Sequence, residues 1–349
     1  MTMGTATHFL LFAGALFLLS AAITWVMIRA PIIDQPNQRS SHKQPVPRSG
    51  GVAIVITTYV GVAAFLYFED HFPALGMPLY GLAAGAVIIA VAGFLDDLNV
   101  ITGFKSKLLF QILACVPVLY LGGGIDRISL PFIGWLDLGW LGYPVTMLWI
   151  LGLTNIVNFM DGLDGLAAGT VATAAAIFGA ISLGQGAHFL SAMGFVVSAA
   201  CTGFFIFNFP RAWIFMGDVG SQFLGFVMAA LVVLTMVPDP APVSLFVIPL
   251  LFFHFIFDTV FTFCRRLMAR ENVTQAHRSH LYQLLNQIGC SHAQVSMLHM
   301  LMAIAQGMGA VALLTMPAAD QFLIFLPFVG FQLVYAAVIL LMARRRNLL

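Results

Sequence analysis

This sequence predicts an all-α integral membrane protein that crosses the bilayer about eleven times. Of its 349 residues, 60% are hydrophobic and 8% charged, with a mean hydropathy of +0.97. A soluble domain carries about 25% charged residues, and a surface this poor in charge is stable only where lipid is the solvent. Apolar runs long enough to span recur along the whole chain, and its cations fall almost entirely between alternate runs. The net charge of +1 gives no electrostatic case for nucleic acid. Cys115, Cys201, Cys264 and Cys290 stand far apart with no CxxC, which suggests neither a disulfide framework nor a zinc site.

A span needs about 20 mostly apolar residues. Reading the runs between polar breaks places spans at 8–28, 51–68, 78–95, 106–121, 142–160, 164–183, 187–206, 220–237, 243–263, 296–315 and 321–342. The first follows a start with no basic region and no cleavage site, so it reads as a retained span and not a signal peptide. The second opens at Gly51 and stops before Glu69-Asp70, and the third ends on Asp96-Asp97. The fourth, the shortest, starts beside Lys105 and Lys107. The fifth and sixth meet at Asp161 and Asp164, the seventh ends near Asn208, and the eighth opens after Asp218. The ninth stops before Arg265-Arg266, and the last two are divided by a short polar break and closed by Arg344-Arg345-Arg346. No internal repeat is visible. The chain reads as one transmembrane domain, 1–349, with loops near 29–50, 96–105, 207–219 and 264–295 on one face.

Lys and Arg set orientation. Fourteen of the fifteen fall in alternate loops and the tail, and Arg127 alone falls on the other side. The cation-rich side is therefore the cytosol, the N-terminus outside and the C-terminus inside.

Acidic residues do not obey that rule, so their placement carries information. Asp96, Asp97, Asp161, Asp164, Asp218 and Asp258 all reach the cytosolic ends of spans. A carboxylate at a span centre costs about 2.5–3.5 kcal/mol, so several at one depth need cations, a metal or water. Mg²⁺ favours one or two carboxylates with phosphate oxygens and water. The run Phe159-Met160-Asp161-Gly162-Leu163-Asp164-Gly165 precedes an apolar helix, whose N-terminal N–H groups suit phosphate. Gly217-Asp218-Val219-Gly220-Ser221 repeats that logic. The first loop, 34–51, includes Lys43 and Arg48, and the last large loop holds His277-Arg278-Ser279-His280. Cations and histidines suit a diphosphate, although either loop alone also fits plain positive-inside charge. His8, His71, His188, His254, His292 and His299 have no such company and read as structural.

These motifs resemble the bacterial polyprenyl-phosphate N-acetylhexosamine-1-phosphate transferases, the glycosyltransferase family 4 enzymes. The likeness rests on Pro45-Val46-Pro47-Arg48-Ser49-Gly50-Gly51, Asp96-Asp97-Leu98-Asn99, the 155–165 run, Asn208-Phe209-Pro210 through Gly217-Asp218-Val219-Gly220-Ser221, and His277-Arg278-Ser279-His280. It covers the chain from Asp34 to about Gln283. The resemblance implies transfer of a sugar-1-phosphate from a UDP-N-acetylhexosamine to polyprenyl (undecaprenyl) phosphate, with release of UMP and a need for Mg²⁺ or Mn²⁺. It further implies that Asp218 binds the metal and that Asp96 or Asp97 is a base or a metal partner. Asn155, Asn158, Asp161, Asp164, Asn208 and Phe215 would hold the nucleotide, with Phe215 near the uracil. Lys43, Arg48, His277, Arg278 and His280 would surround the diphosphate or sugar. The implied location is the bacterial inner membrane, with the site facing the cytosol, and the implied product starts a lipid-linked glycan such as O-antigen or exopolysaccharide. A homodimer is compatible with this.

The pentapeptide-transferase branch of the superfamily ends its first loop on a TPTMGG-type run and carries three successive histidines late in the chain. Here those positions read Val46-Pro47-Arg48-Ser49-Gly50-Gly51 and His277-Arg278-Ser279-His280, which favours a simple UDP-N-acetylhexosamine. The rival reading is a transporter or flippase of lipid-linked sugars. Such proteins put substrate near the bilayer midplane, often between repeats, whereas these acids gather at one face.

Overall fold

A computed structural model of the chain describes residues 3–30, 32–34, 45–68, 76–101, 103–236, 243–272, 275 and 277–348, with 3–10 described as backbone only. Lys43 lies outside the described residues. The molecule is all-α. Among the described residues, nine helical segments are long and apolar enough to cross a membrane. They include α2 (Gly51–Phe68), α3 (Gly76–Asp97), α4 (Phe104–Gly122), α5 (Gly142–Met160), α6 (Leu166–Gly184), α7 (His188–Asn208) and α8 (Gly217–Thr235). α12 (His292–Leu313) and α13 (Phe325–Arg345), the latter entered through a 3-10 turn at Ala318–Ile324, complete the nine. α1 (Met3–Met27) fills the first expected position. The short fourth run is a full helix.

The ninth expected span differs from a single helix. It is broken at Phe252 into α9 (Val247–Leu251) and α10 (Phe253–Met268). A break inside lipid exposes backbone groups that a neighbour must satisfy. Gln306 of α12 does so: turned with its amide nitrogen to the Leu251 and Leu250 carbonyls (3.1 and 3.3 Å), it accepts from the His254 N–H at 3.1 Å. α10 also runs past the expected end of that span, to Met268, so Asp258 stands about three turns from the helix end and not within a few residues of it.

α8 is the axis of the bundle. Every residue from Val219 to Thr235 is buried, so no face of this helix meets lipid. α3, α5 and α2 pack around it, while α6 pairs with α7 and α12, and α1 covers α7. Two features were not legible as elements. A hairpin of β1 (Arg127–Leu130) and β2 (Gly134–Asp137) packs on the 3-10 turn at Ala318–Ile324, at the end of α4 remote from Asp97. An eight-residue helix, α11 (Leu281–Ile288), lies within the expected 264–295 loop.

Candidate active site

Small residues bring the chain together at the start of α8. A Cβ on Gly51 would strike the backbone of Gly220, and one on Gly93 would lie 2.6 Å from the Asp218 carbonyl. α2 and α3 therefore cross the first turn of α8 backbone to backbone. Gly217 has φ 73°, a conformation that disfavours side chains, and a Cβ there would collide with the Asp97 carboxylate. The end of the first loop is stitched to the segment before α8. Phe215 N–H donates to Pro47 O at 2.8 Å, while Gly50 and Gly51 donate to Phe215 O and Met216 O at 2.9 Å.

This crossing assembles the acids. Asp97 is fully enclosed. Its Oδ1 accepts the Asp218 N–H at 2.9 Å and meets Arg48 at 2.8 Å. Its Oδ2 accepts Ser49 Oγ at 3.0 Å and the Val219 N–H at 3.3 Å. Lys107 Nζ spans the other two carboxylates, 2.8 Å from Asp96 and 2.7 Å from Asp218. Arg48 also reaches Asp96 at 3.7 Å, Asp218 at 3.9 Å and Asp34 at 3.8 Å. Asp96, Asp97 and Asp218 each offer an oxygen within 4.8 Å of the others. Three carboxylates against two cations leave the nest net negative. Burial would depress the Arg48 guanidinium, but the charges of Asp97, Asp218, Asp34 and Asp96 outweigh it and hold its pKa above the usual value. Asp161, in the turn after α5, belongs to the same field. Burial, then the negative charges of Asp218 and Asp97, push its carboxyl up to about 7, with Arg48 opposing.

An amide network fixes the open side of Asp218. Asn158 Nδ2 donates to Asp218 Oδ1 at 3.3 Å and to Ser221 Oγ at 2.9 Å. Gln222 Nε2 donates to Asp218 Oδ2 at 2.9 Å. Gln111 Nε2 in turn donates to Gln222 at 3.0 Å and to Asn155 at 3.2 Å, and Asn155 Nδ2 donates back to Gln111 at 2.8 Å. Lys107, Gln111 and Gln222 were missed as site residues. The available signal was spacing: Lys107 and Gln111, and Asp218 and Gln222, are polar pairs one helical turn apart in otherwise apolar helices.

Not every expected residue joins that nest. Asn208 accepts the Gly165 N–H at 2.7 Å and donates to Ile214 O at 2.8 Å. Asp164 accepts the Ala212 N–H at 3.2 Å and pairs with His292 at 3.2 Å. Both tie the 161–165 turn to the 209–214 loop, and His292, read as structural from sequence, is part of that frame. Phe215 is half-buried in the stitched segment before α8. The late loop arrives from the opposite side. Tyr282 Oη donates to Phe159 O at 2.9 Å, and the His280 ring lies 6.4 Å from that of Phe159. His277 sits 4.8 Å from His280, ring to ring. Burial, then His280, Arg266 and Arg265, lower its pKa to about 4. Arg278 is half-buried in the same loop.

The model of glycosyl transferase family 4 matches residues 79–236, the stretch that carries Asp96, Asp97, Asp161 and Asp218. A probable undecaprenyl-phosphate N-acetylglucosaminyl 1-phosphate transferase of Bacillus subtilis is 36% identical over 270 residues, covering 76% of this chain and 73% of its own. The chain belongs to glycosyl transferase family 4. A second member, the decaprenyl-phosphate N-acetylglucosaminephosphotransferase of Mycolicibacterium smegmatis, is 30% identical over 322 residues, or 79% of this chain and 75% of that one. A phospho-N-acetylmuramoyl-pentapeptide-transferase of Heliobacterium modesticaldum matches a shorter stretch, 36% identical over 208 residues and 55% of this chain. This family 4 protein is thus a multi-pass membrane enzyme whose matched region contains the three acids of the nest.

Proposed function

We propose that the protein transfers N-acetylglucosamine-1-phosphate from UDP-N-acetylglucosamine to a bacterial polyprenyl phosphate. UMP leaves, and the reaction occurs at the cytosolic face of the inner membrane, opening synthesis of a lipid-linked glycan such as O-antigen or exopolysaccharide. The observation that carries this reading is the nest of Asp96, Asp97 and Asp218 crossed by Arg48 and Lys107 at the end of a buried helix. Phosphoryl transfer asks a protein for positioning and charge neutralisation, and the nest supplies both signs of charge.

The donor set suits Mg²⁺ or Mn²⁺, being made of a few hard carboxylate oxygens. Asp218 and Asp96 would hold it in place of the Lys107 bridge, since Lys107 and the side-chain amides of Asn158 and Gln222 that meet Asp218 can turn away, whereas backbone N–H groups cannot. Asp97, which the resemblance offers as a base or a metal partner, has both oxygens taken by backbone N–H groups, Ser49 and Arg48, and stands behind as the anchor of α8. When bound, the cation neutralises the diphosphate and eases departure of UMP. An oxygen of the polyprenyl phosphate attacks the sugar-bearing β-phosphorus, and the bond from that phosphorus to the oxygen of the UMP phosphate breaks. A phosphate monoester has its second pKa near ~6, so the acceptor is already ionised at neutral pH and no strong base is needed. Arg48, Lys107, Lys43, Arg278 and His280 hold the diphosphate and sugar. His277, neutral at pH 7, contributes a hydrogen bond and not a charge. Asn155, Asn158, Asp161, Asp164, Asn208 and Phe215 frame the nucleoside side.

The test is UMP release by purified protein with undecaprenyl phosphate, Mg²⁺ and a panel of UDP-sugars. Release that requires both the lipid and UDP-N-acetylglucosamine is expected. Release with a different UDP-sugar alone would change the donor. No release with any of them from folded protein would overturn the assignment.

A further inference from the structure

Asp258 is buried in α10, three turns before that helix ends and apart from the acid nest. Its Oδ1 accepts the Leu281 N–H at 2.9 Å and Thr262 Oγ1 at 3.1 Å, and lies 3.2 Å from His280 Nδ1. Its Oδ2 accepts the Tyr282 N–H at 3.0 Å. One carboxylate therefore takes two successive N–H groups at the start of α11 and the ring of the residue that caps it. Ionised Asp258 is an acceptor only, so Nδ1 of His280 must carry a proton, and Nε2 alone is left to meet a substrate. The ring plane is fixed too: it lies 5.8 Å from that of Tyr282 and 6.4 Å from that of Phe159, close to parallel with both. Tyr282 then carries the constraint to the acid turn. Its hydroxyl donates to Phe159 O and fills the space beside Gly162, where a Cβ would collide with it.

We propose that Asp258 is a positioning residue for transfer. It holds His280 in its Nδ1–H form, with Nε2 turned to the sugar-diphosphate, and through Tyr282 sets the Asp161-Gly162 turn. The inference rests on the donor-binding role proposed for His280. A carboxylate behind a working histidine fixes both tautomer and aim, and the loss of such a partner commonly costs 10–100-fold.

The experiment is a double-mutant cycle on UMP release, joined to histidine ¹⁵N NMR of the full-length protein in micelles. Asp258→Asn should lower kcat/KM for the UDP-sugar by about 10- to 100-fold, chiefly through KM. In a His280→Ala background the same change should cost less than about threefold, because its object is gone. The His280 signal, assigned by its loss in His280→Ala, should show the Nδ1–H pattern and change in Asp258→Asn. Thr262→Val, which removes one donor to Asp258 and keeps its size, should reproduce a small part of the KM effect in protein of normal stability. Equal losses in the two backgrounds, or a His280 signal indifferent to Asp258, would overturn the proposal. If no UDP-sugar supports UMP release by the wild type yet the NMR pattern holds, the transfer reading fails and the Asp258–His280 arrangement stands.

Discussion

Two helices of this protein start on a buried aspartate lent by another helix, and the pair is instructive. At α8 the aspartate is Asp97 of α3, and at α11 it is Asp258 of α10. Each accepts two successive N–H groups of the helix start, one hydroxyl (Ser49 or Thr262) and one basic side chain (Arg48 or His280). Around Asp258 no second carboxylate makes contact among the described residues. Beside Asp97 stand Asp96 and Asp218, bridged by Lys107, with Asp161 in their field. A satisfied buried carboxylate is thus framework in both places. The surplus of acid beside one of them is what equips that end of the bundle for a metal and a diphosphate.

The largest expected effect tests that surplus. Asp218→Asn should cut turnover by about 10²–10³-fold or more while the thermal midpoint in detergent barely moves; near-normal activity would remove Asp218 from the chemistry. Asp97→Asn should instead cost both activity and about 3 kcal/mol of stability, the scale for breaking a buried pair. Denaturant titration checks this, and rescue of activity by raised Mg²⁺ would move Asp97 from framework to metal. Lys107→Met should lower kcat and shift the Mg²⁺ concentration for half-maximal rate downward, since a competing cation is gone; His280→Ala should leave that concentration unchanged. An equal shift in both would erase the distinction between the two helix starts.

A smaller effect concerns pH. Asp161 ionises near 7 when folded and near an ordinary carboxylate value when unfolded. Between those values the folded chain holds the extra proton, so this group's contribution to stability falls as pH rises from about 4 to 7 and is level above. Thermal midpoints of the metal-free wild type should show that loss, and those of Asp161→Asn should be flatter. The smallest effect should be His292→Ala, which removes a partly exposed pair with Asp164 and should cost under about 1 kcal/mol.

The spans were legible because lipid enforces a composition over about 20 residues at a time, and α2 coincides with the run read at 51–68. The break at Phe252 was not, because what seals it is Gln306, more than fifty residues away in sequence. The hairpin at Arg127–Asp137 and the eight residues of α11 are too short for either period to register. At the site, the acids announced themselves by standing in apolar surroundings. Lys107 did not, because a cation at a cytosolic helix start is also what orientation demands. Its spacing to Gln111 marks a polar face of α4, and packing shows that this face meets Asp96 and Asp218. Asn208 and Asp164 lie at this end of the bundle, yet their bonds tie the 161–165 turn to the 209–214 loop, a distinction that a motif cannot carry.

The glycine contacts at the root of α8 have a mechanical consequence. A thicker or thinner bilayer is met by tilting or kinking of helices, within what their packing allows. Gly51 against Gly220, and Gly93 against Asp218, meet with no side chain between them. The spacing of the carboxylates should therefore change little with the thickness of the surrounding lipid. A rate that changes between thin and thick membranes would then report how the lipid acceptor is delivered, while the acid nest keeps its dimensions.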